Sequence, residues 1–425
     1  MEIILKNLKI VEPGSNLNGR KRDIRIQDGR IVRIAAEIEA PRSVTVRDFK
    51  GARVSPGWVD VGAYSGEPGY EERETLEHLA RAAAAGGYTT VCIMPRTKPV
   101  LQSKSEIRFI LDRSRALAVD LLPIGAVSKD LAAVEMAEMY LMKEAGAVAF
   151  SDADKGIQKS GLLLRALDYL RYHPDTLLIQ QSYDGELSGS GQMHEGHFST
   201  LLGLRGIPSM AEVAGIQRDL EILKYTGSGM LIHKLSTAEG ISLIRQARKN
   251  NPRLFASVSV FNLAYEDKDL ETLDANLKLF PPVRSTSDRT ALIKGLKDGS
   301  IDLICSDHQP MNPERKDLEF QAAGFGAISL ETAYSLARTR LADELSDELW
   351  VEKVALNPRK ILGLNTEGIA EDAEADLSFF DPAASWTYRT ENVRSLSRNS
   401  PLLGQTLSGK VLGIFKKDQL ITPQA

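Results

Sequence analysis

A chain of 425 residues is long for one domain and predicts either one large barrel or two domains. Its 43% hydrophobic and 26% charged residues are ordinary for a folded soluble protein, and a formal charge of -4 gives no reason to expect nucleic acid or an anionic membrane as partner. No apolar run approaches the roughly 18 residues that a bilayer-spanning helix needs.

The N-terminus, MEIILKNLKIVEPG, enters an alternating strand pattern directly, without the charged head, apolar centre and cleavage site of a signal peptide. A cytoplasmic protein is the expectation. Short strands with turn punctuation follow to about residue 52. From Arg53 the pattern changes to strands alternating with amphipathic helices. Eight apolar strand candidates stand in order: RVSPGWVDV, YTTVCIMP, VDLLPIGAV, AVAFS, TLLIQQS, GMLIHKL, LFASVSV and IDLICS. Stretches such as ETLEHLARAAAAGG and Ser103 to Leu117 carry helical spacing between them. Eight such units predict a (β/α)8 TIM-type barrel, placed at residues 53–364. Short strands return afterwards, in ADLSFFD, SWTY and QTLSGKVLGIFKK. Residues 1–52 and 365–425 are therefore expected to form a composite β-sandwich domain built from both chain termini.

Chemistry in such a barrel sits at the C-terminal strand ends. Only six histidines are present, and no two form an H-x-H pair. His194 and His197 have H-x-x-H spacing but fall in a predicted loop, so surface positions are expected, with a replacement metal site as the alternative. His233 precedes Lys234 on a strand, and alternation predicts that it points away from the barrel centre. Cys92 and Cys305 lie in separate predicted strands and read as buried reduced thiols rather than a disulfide or metal pair.

PGWVD, EPG, AAAAGGYTTV, EMAEMYLMKEAGAVAFSD, GLRGIPSMAE, PPVR, IDLICSDH, GFGAISLET and NPRKILGL occur in that order along the chain. On these motifs the chain resembles the dihydroorotases of the amidohydrolase superfamily over nearly its whole length. The resemblance implies a zinc-dependent hydrolase that opens a cyclic amide in pyrimidine biosynthesis. It also implies an Asp-x-His-x-His motif on the first strand, which here reads Asp60, Gly62 and Tyr64. The family's substrate-binding arginine corresponds to Gly66, and its asparagine after Met-Pro to Arg96. Ligand histidines of strands five and six correspond to Gln181 and Lys234, and a histidine pair on strand seven to Phe261 and Asn262. A second substrate asparagine corresponds to Phe280, and a late histidine to Met311.

Asp152 and Asp307 remain as remnants of the implied metal site, with Asp154 as the alternative to Asp152, and His308 follows Asp307. Zinc lowers the pKa of its water from about 15.7 to about 7, and imidazoles are its suitable neutral ligands. Two carboxylates and one histidine are a poor substitute. No metal or other cofactor is expected, with zinc implied only if the site is rebuilt. The candidate catalytic residue is Asp307, retained either as a base or as a structural carboxylate. Candidate substrate contacts are Arg96, Lys234 and His308. Lys234 reads as charge compensation for the aspartates or as a reactive amine, and His308 as a barrel-rim residue or a ligand. EPG and PPVR read as backbone-shaping turns.

Three functions follow. The first is a dihydroorotase-like chain without metal-dependent activity, a structural or regulatory partner of a protein such as aspartate carbamoyltransferase. The second is an active cyclic-amide hydrolase with a site rebuilt around Asp152, Asp307 and His308. The third is an anion-binding protein using Arg96 and Lys234. A homodimer is expected from the resemblance. Tyr64, Tyr183, Phe261 and Phe280 should narrow the pocket, and Lys234 should reach Asp307 or Asp152.

Overall fold

The computed structural model describes residues 1–422. Eight parallel strands form the central sheet: Trp58–Ala63, Tyr88–Ile93, Asp120–Gly125, Ala149–Phe150, Leu178–Gln180, Met230–Ile232, Leu254–Ser259 and Leu303–Cys305. They are numbered one to eight here, and each pairs in parallel with the next. Strands eight and one meet through side chains and a single backbone bond. Asp60 accepts the Ser306 amide at 2.6 Å and the Ser306 hydroxyl at 2.8 Å, and the Tyr64 amide donates to the His308 carbonyl at 2.9 Å. The result is a nearly closed barrel of the predicted class.

Period-two alternation divides each strand between two cores. Val59, Val61, Cys92, Ile124, Ala149, Ile179, Leu231 and Leu303 fill the barrel interior. Trp58, Tyr88, Val91, Leu121, Phe150, Leu178 and Ile232 face the larger core shared with the surrounding helices. The predicted helices form where cap chemistry starts them. Leu76–Ala85 begins at Thr75, whose hydroxyl accepts the His78 amide, and Lys104–Arg115 begins with a Ser103/Glu106 capping box. Both cysteines are buried free thiols. No helix among the described residues is long and apolar enough to cross a membrane.

The terminal strands join one eight-stranded mixed sheet that includes Glu2–Ile10, Lys21–Gln27, Arg53–Pro56, Leu377–Thr387 and Thr406–Lys416. Arg53–Pro56 corrects the sequence reading. It pairs with the first strand of the chain and with Leu377–Thr387, so RVSPGWVDV is two strands in two sheets. Gly57 makes the switch, because a Cβ there would lie 1.9 Å from an Asp376 carboxylate oxygen and 2.2 Å from the Thr89 hydroxyl. Arg359 fastens the junction by donating to the Gly57 carbonyl at 2.9 Å and to Asp376 at 2.8 Å.

Candidate active site

The mouth of the barrel is centred on an ion pair. Lys234 Nζ donates to Asp307 Oδ1 at 2.8 Å and to the Phe280 carbonyl at 2.7 Å, and the Ser259 hydroxyl donates to Asp307 Oδ2 at 3.0 Å. The Lys234 and Asp307 side chains are only 1% and 3% exposed, so water does not screen the pair. Lys234 thus reaches Asp307 as expected, but by a route that simple alternation does not describe. Its φ is +56°, which takes the chain out of the extended region just beyond strand six and swings the side chain to the mouth. Asp307, just beyond strand eight, has φ +59°.

His233 overturns its sequence reading. Leu231 faces the barrel interior, and two residues later His233 does the same, buried at 3% exposure. Its Nδ1 lies 2.9 Å from the Ser257 hydroxyl, which also accepts the Lys234 amide at 2.9 Å. With two lone pairs, that hydroxyl can accept the Lys234 amide and still either donate to Nδ1 or accept from it. Burial, reinforced by neighbouring Lys234, pushes the imidazole well below its ordinary pKa and keeps it neutral. The ring occupies the space facing Gly62. A Cβ on Gly62 would meet His233 Nε2 at 2.7 Å and Met94 Cε at 2.8 Å, with φ at +100°.

Asp152 does not join this centre. Its Oδ1 accepts the Val127 and Ser128 amides at 3.0 and 2.9 Å, and its Oδ2 accepts the Ser128 hydroxyl at 2.5 Å. It anchors the loop after strand three. Burial raises its pKa, while these donors oppose the shift. Asp154 is the acid that faces the mouth. It pairs with Arg96, whose guanidinium lies 4.6 Å from the Tyr64 ring centroid. Asp154 Oδ1 is buried without a hydrogen-bond partner. Burial drives the Tyr64 phenol well above its usual pKa, and Asp154 adds to the shift.

His308 also turns away. Its Nδ1 accepts the Ser329 amide at 3.1 Å and the Leu330 amide at 3.4 Å, and its Nε2 lies 3.6 Å from Glu74. It is fully buried, and its Nε2 has no hydrogen-bond partner. Phe261 and Asn262 fall in a short helix, Val260–Ala264, after strand seven. Phe261 packs in the outer core rather than at the mouth, and Asn262 donates to the Pro282 carbonyl at 2.8 Å.

The other aromatics do crowd the mouth. Tyr183 and Phe280 meet edge to face at 4.8 Å, and Phe280 meets Phe325 at 6.0 Å. The cavity between Gln181, Tyr183 and Phe280 measures about 10 Å³. That is room for one water at most, in a crevice that Ile207, Glu212 and Arg284 also line and that neither Lys234 nor Asp307 reaches.

His194 and Arg284 form a second buried cluster beside the first. His194 ends a two-residue strand while His197 opens a separate helix and is exposed, so the H-x-x-H spacing has no shared face. Contrary to expectation, His194 is buried. Burial and Arg284, 3.2 Å away, push its pKa down to about 4. Arg284, read from sequence as part of a turn, donates to the Ile207 carbonyl at 2.8 Å and to the Ser236 hydroxyl at 3.1 Å. Ser236 and Thr237 in turn place four donors on Glu212. An arginine beside two prolines gives no sequence signal that it will be buried. Asp154 was visible as an alternative register, and Ser259 carried no signal.

The Dihydro-orotase-like family model matches residues 51–240, and the Amidohydrolase family model matches residues 228–421. A dihydroorotase of Syntrophus aciditrophicus is 37% identical over 425 residues, covering 99% of both chains. The chain belongs to the dihydroorotase-like amidohydrolases. A second family member, the dihydroorotase of Pelotomaculum thermopropionicum, is 39% identical over 411 residues and 96% of both chains. Among solved structures, the L-hydantoinase of Arthrobacter aurescens superposes with a TM-score of 0.86 at 24% identity, covering 99% of this chain and 96% of its own. The dihydropyrimidinase of Brevibacillus agri gives 0.83 at 18% identity, covering 99% and 95%. At those identities the likeness is one of fold.

Proposed function

We propose that this chain is a dihydroorotase-like protein without metal-dependent dihydroorotase activity, retained as a structural or regulatory partner. The observation that carries the reading is the buried Lys234–Asp307 pair, in which an ammonium occupies the carboxylate oxygen that a metal would need. The zinc implied by the family does not fit the donors present. Among the described residues, no three His, Cys, Asp or Glu side chains converge as a metal site. Of the mouth groups, Asp154 pairs with Arg96, Asp307 pairs with Lys234, and His233 turns Nδ1 to Ser257. Without a metal, a buried carboxylate held by an ammonium and a hydroxyl has no activated water to work with. The aspartate carbamoyltransferase partner implied by the resemblance belongs to this reading, and co-purification of the two chains tests it.

A second reading, cyclic-amide hydrolysis, is favoured by one observation: the relatives named dihydroorotase are 37% and 39% identical over essentially the whole chain. It requires Lys234 to leave Asp307 and the aromatic mouth to open. One experiment separates the two. Zinc content is measured on purified protein, and dihydroorotate hydrolysis is followed with and without added zinc. The first reading expects sub-stoichiometric zinc and no turnover above buffer. Stoichiometric zinc with turnover overturns it.

A further inference from the structure

We propose that the segment 312–325, which follows strand eight, is a lid over the barrel mouth that loosens when its buried lysine, Lys316, takes up a proton. The segment reaches the mouth at its far end. Phe325 packs edge to face on Phe280 at 6.0 Å, and the Phe280 carbonyl is an acceptor of Lys234. Gly326 closes the segment with φ at +131°, and its amide donates to the Lys278 carbonyl at 2.9 Å. A Cβ there would lie 2.7 Å from the Gln309 side chain, so glycine is required where the lid rejoins the body.

Little apolar surface holds the lid down. Between Asn312 and Ala322 only Lys316 and Phe320 are buried, and the one helix, Pro313–Lys316, is a single turn. Segments packed this lightly open locally at less cost than global unfolding. Two lysines, 2% and 3% exposed, supply the latch. Lys278, on the body, donates to the Phe320 and Gln321 carbonyls at 2.9 Å each, and its Nζ lies 5.6 and 5.0 Å from the Phe320 and Phe325 ring centroids. Lys316, on the lid, donates to the Gly324 carbonyl at 2.9 Å.

The two latches differ. Burial lowers the pKa of Lys278, but two carbonyls and two ring faces favour its charged form. Lys316 has one acceptor for three donors and, among the described residues, no ion pair. The closed lid therefore suits a neutral amine, which needs only that one bond, better than an ammonium. Asp274 and Lys278 are the charged groups that face Lys316 from the body. Burial pushes Lys316 down to about 7, with Asp274 opposing the fall and Lys278 adding to it. Its neighbours on the lid, Glu314, Arg315, Asp317 and Glu319, are exposed. In the open lid Lys316 is hydrated and returns to about 10.4. Between those values the open form holds a proton that the closed form lacks. Closure therefore tightens as pH rises from about 7 to about 10, and opening is greatest at and below about 7.

The test is rapid-mixing hydrogen–deuterium exchange of the full chain from about pH 6 to about pH 9, read by mass spectrometry over residues 312–326 and divided by the intrinsic rate at each pH. The proposal expects protection in this segment to rise at least about tenfold from pH 7 to pH 9 and to level off below about pH 7. Sub-denaturing urea should leave it nearly unchanged while protection of the barrel strands falls, because local opening exposes little surface. Lys316→Met, which cannot take a proton, and Lys316→Arg, which cannot lose one, should each flatten the pH profile, the arginine chain at low protection throughout. Circular dichroism checks that both fold. Protection that does not vary with pH overturns the proposal. So does a profile that survives both substitutions in folded protein, or a segment that exchanges only with the urea-sensitive unfolding of the barrel.

Discussion

Replacing Lys234 with methionine keeps most of the side-chain volume and removes its charge. Asp307 then keeps only the Ser259 hydroxyl at 3.0 Å, and the Phe280 carbonyl loses its 2.7 Å donor. Both partners are almost wholly buried, so the orphaned carboxylate cannot recover its hydration. Breaking such a pair by removing one partner costs about 3–5 kcal/mol, against about 0–1 kcal/mol for an exposed pair. Asp307→Asn should cost a similar amount, because the buried ammonium then loses its counter-charge and keeps only neutral carbonyl acceptors. The double variant carries neither charge and should fall well short of the sum, giving a coupling energy of about 2 kcal/mol or more. Urea denaturation of the four proteins measures this, with fluorescence of the buried Trp58 and Trp350 as the signal. A Lys234→Met cost below about 1 kcal/mol, or strict additivity in the double variant, would refute a dry ion pair at the barrel mouth.

Other expectations follow from neighbouring residues. Gly62→His, made to add an imidazole at the mouth, should destabilise the fold by about 2 kcal/mol or more without recruiting zinc, because its Cβ meets His233 and φ is +100°; elemental analysis and denaturation check both parts. Asp152→Ala should cost about 2–3 kcal/mol, since three buried donors lose their acceptor; the same urea assay reads it. Below about pH 6.5 the buried neutral His194 and His233 make stability rise with pH and offset the raised acids, so in a Lys316→Met chain, free of the opposing lysine, a net fall should appear only as pH rises from about 6.5 to about 8. Burial lifts Asp60 to about 6 and Glu331 to about 7, so the folded state holds protons that the unfolded state has released. Glu331→Gln should flatten the upper part of that decline, and an unchanged slope would rule Glu331 out as its source. Cys92 and Cys305 should resist a thiol reagent until the protein unfolds, because burial raises both thiols above their usual pKa.

The fold was legible because each barrel strand carries its own apolar signal, and all eight occur where that signal stands. What failed was local. RVSPGWVDV reads as one strand because nothing in composition marks Gly57 as the point where the chain changes sheets. The contact that demands glycine there comes from Asp376, more than 300 residues away. The facing of His233 and Lys234 failed for a different reason. Alternation assigns opposite faces only while the backbone stays extended, and Lys234 leaves that region at φ +56°. One residue of left-handed backbone lets two consecutive side chains serve the same end of the barrel, the imidazole inside and the ammonium at the mouth.

That geometry links the sequence departures to one another. His233 fills the volume facing Gly62, so a side chain at position 62 and the inward imidazole exclude each other. Lys234 neutralises Asp307, which relieves the repulsion that a second uncompensated acid would impose, while Arg96 does the same for Asp154. Each acid at the mouth is paired with a cation from a different strand end. Under the proposed reading, building a metal site here would require removing two cations and moving one ring, as well as adding imidazoles. A single reversion such as Lys234→His leaves Arg96 on Asp154, Gln181 on strand five and glycine at position 62, and it should bind no zinc. Stoichiometric zinc in that one variant would show that the charge of Lys234 alone keeps the metal out.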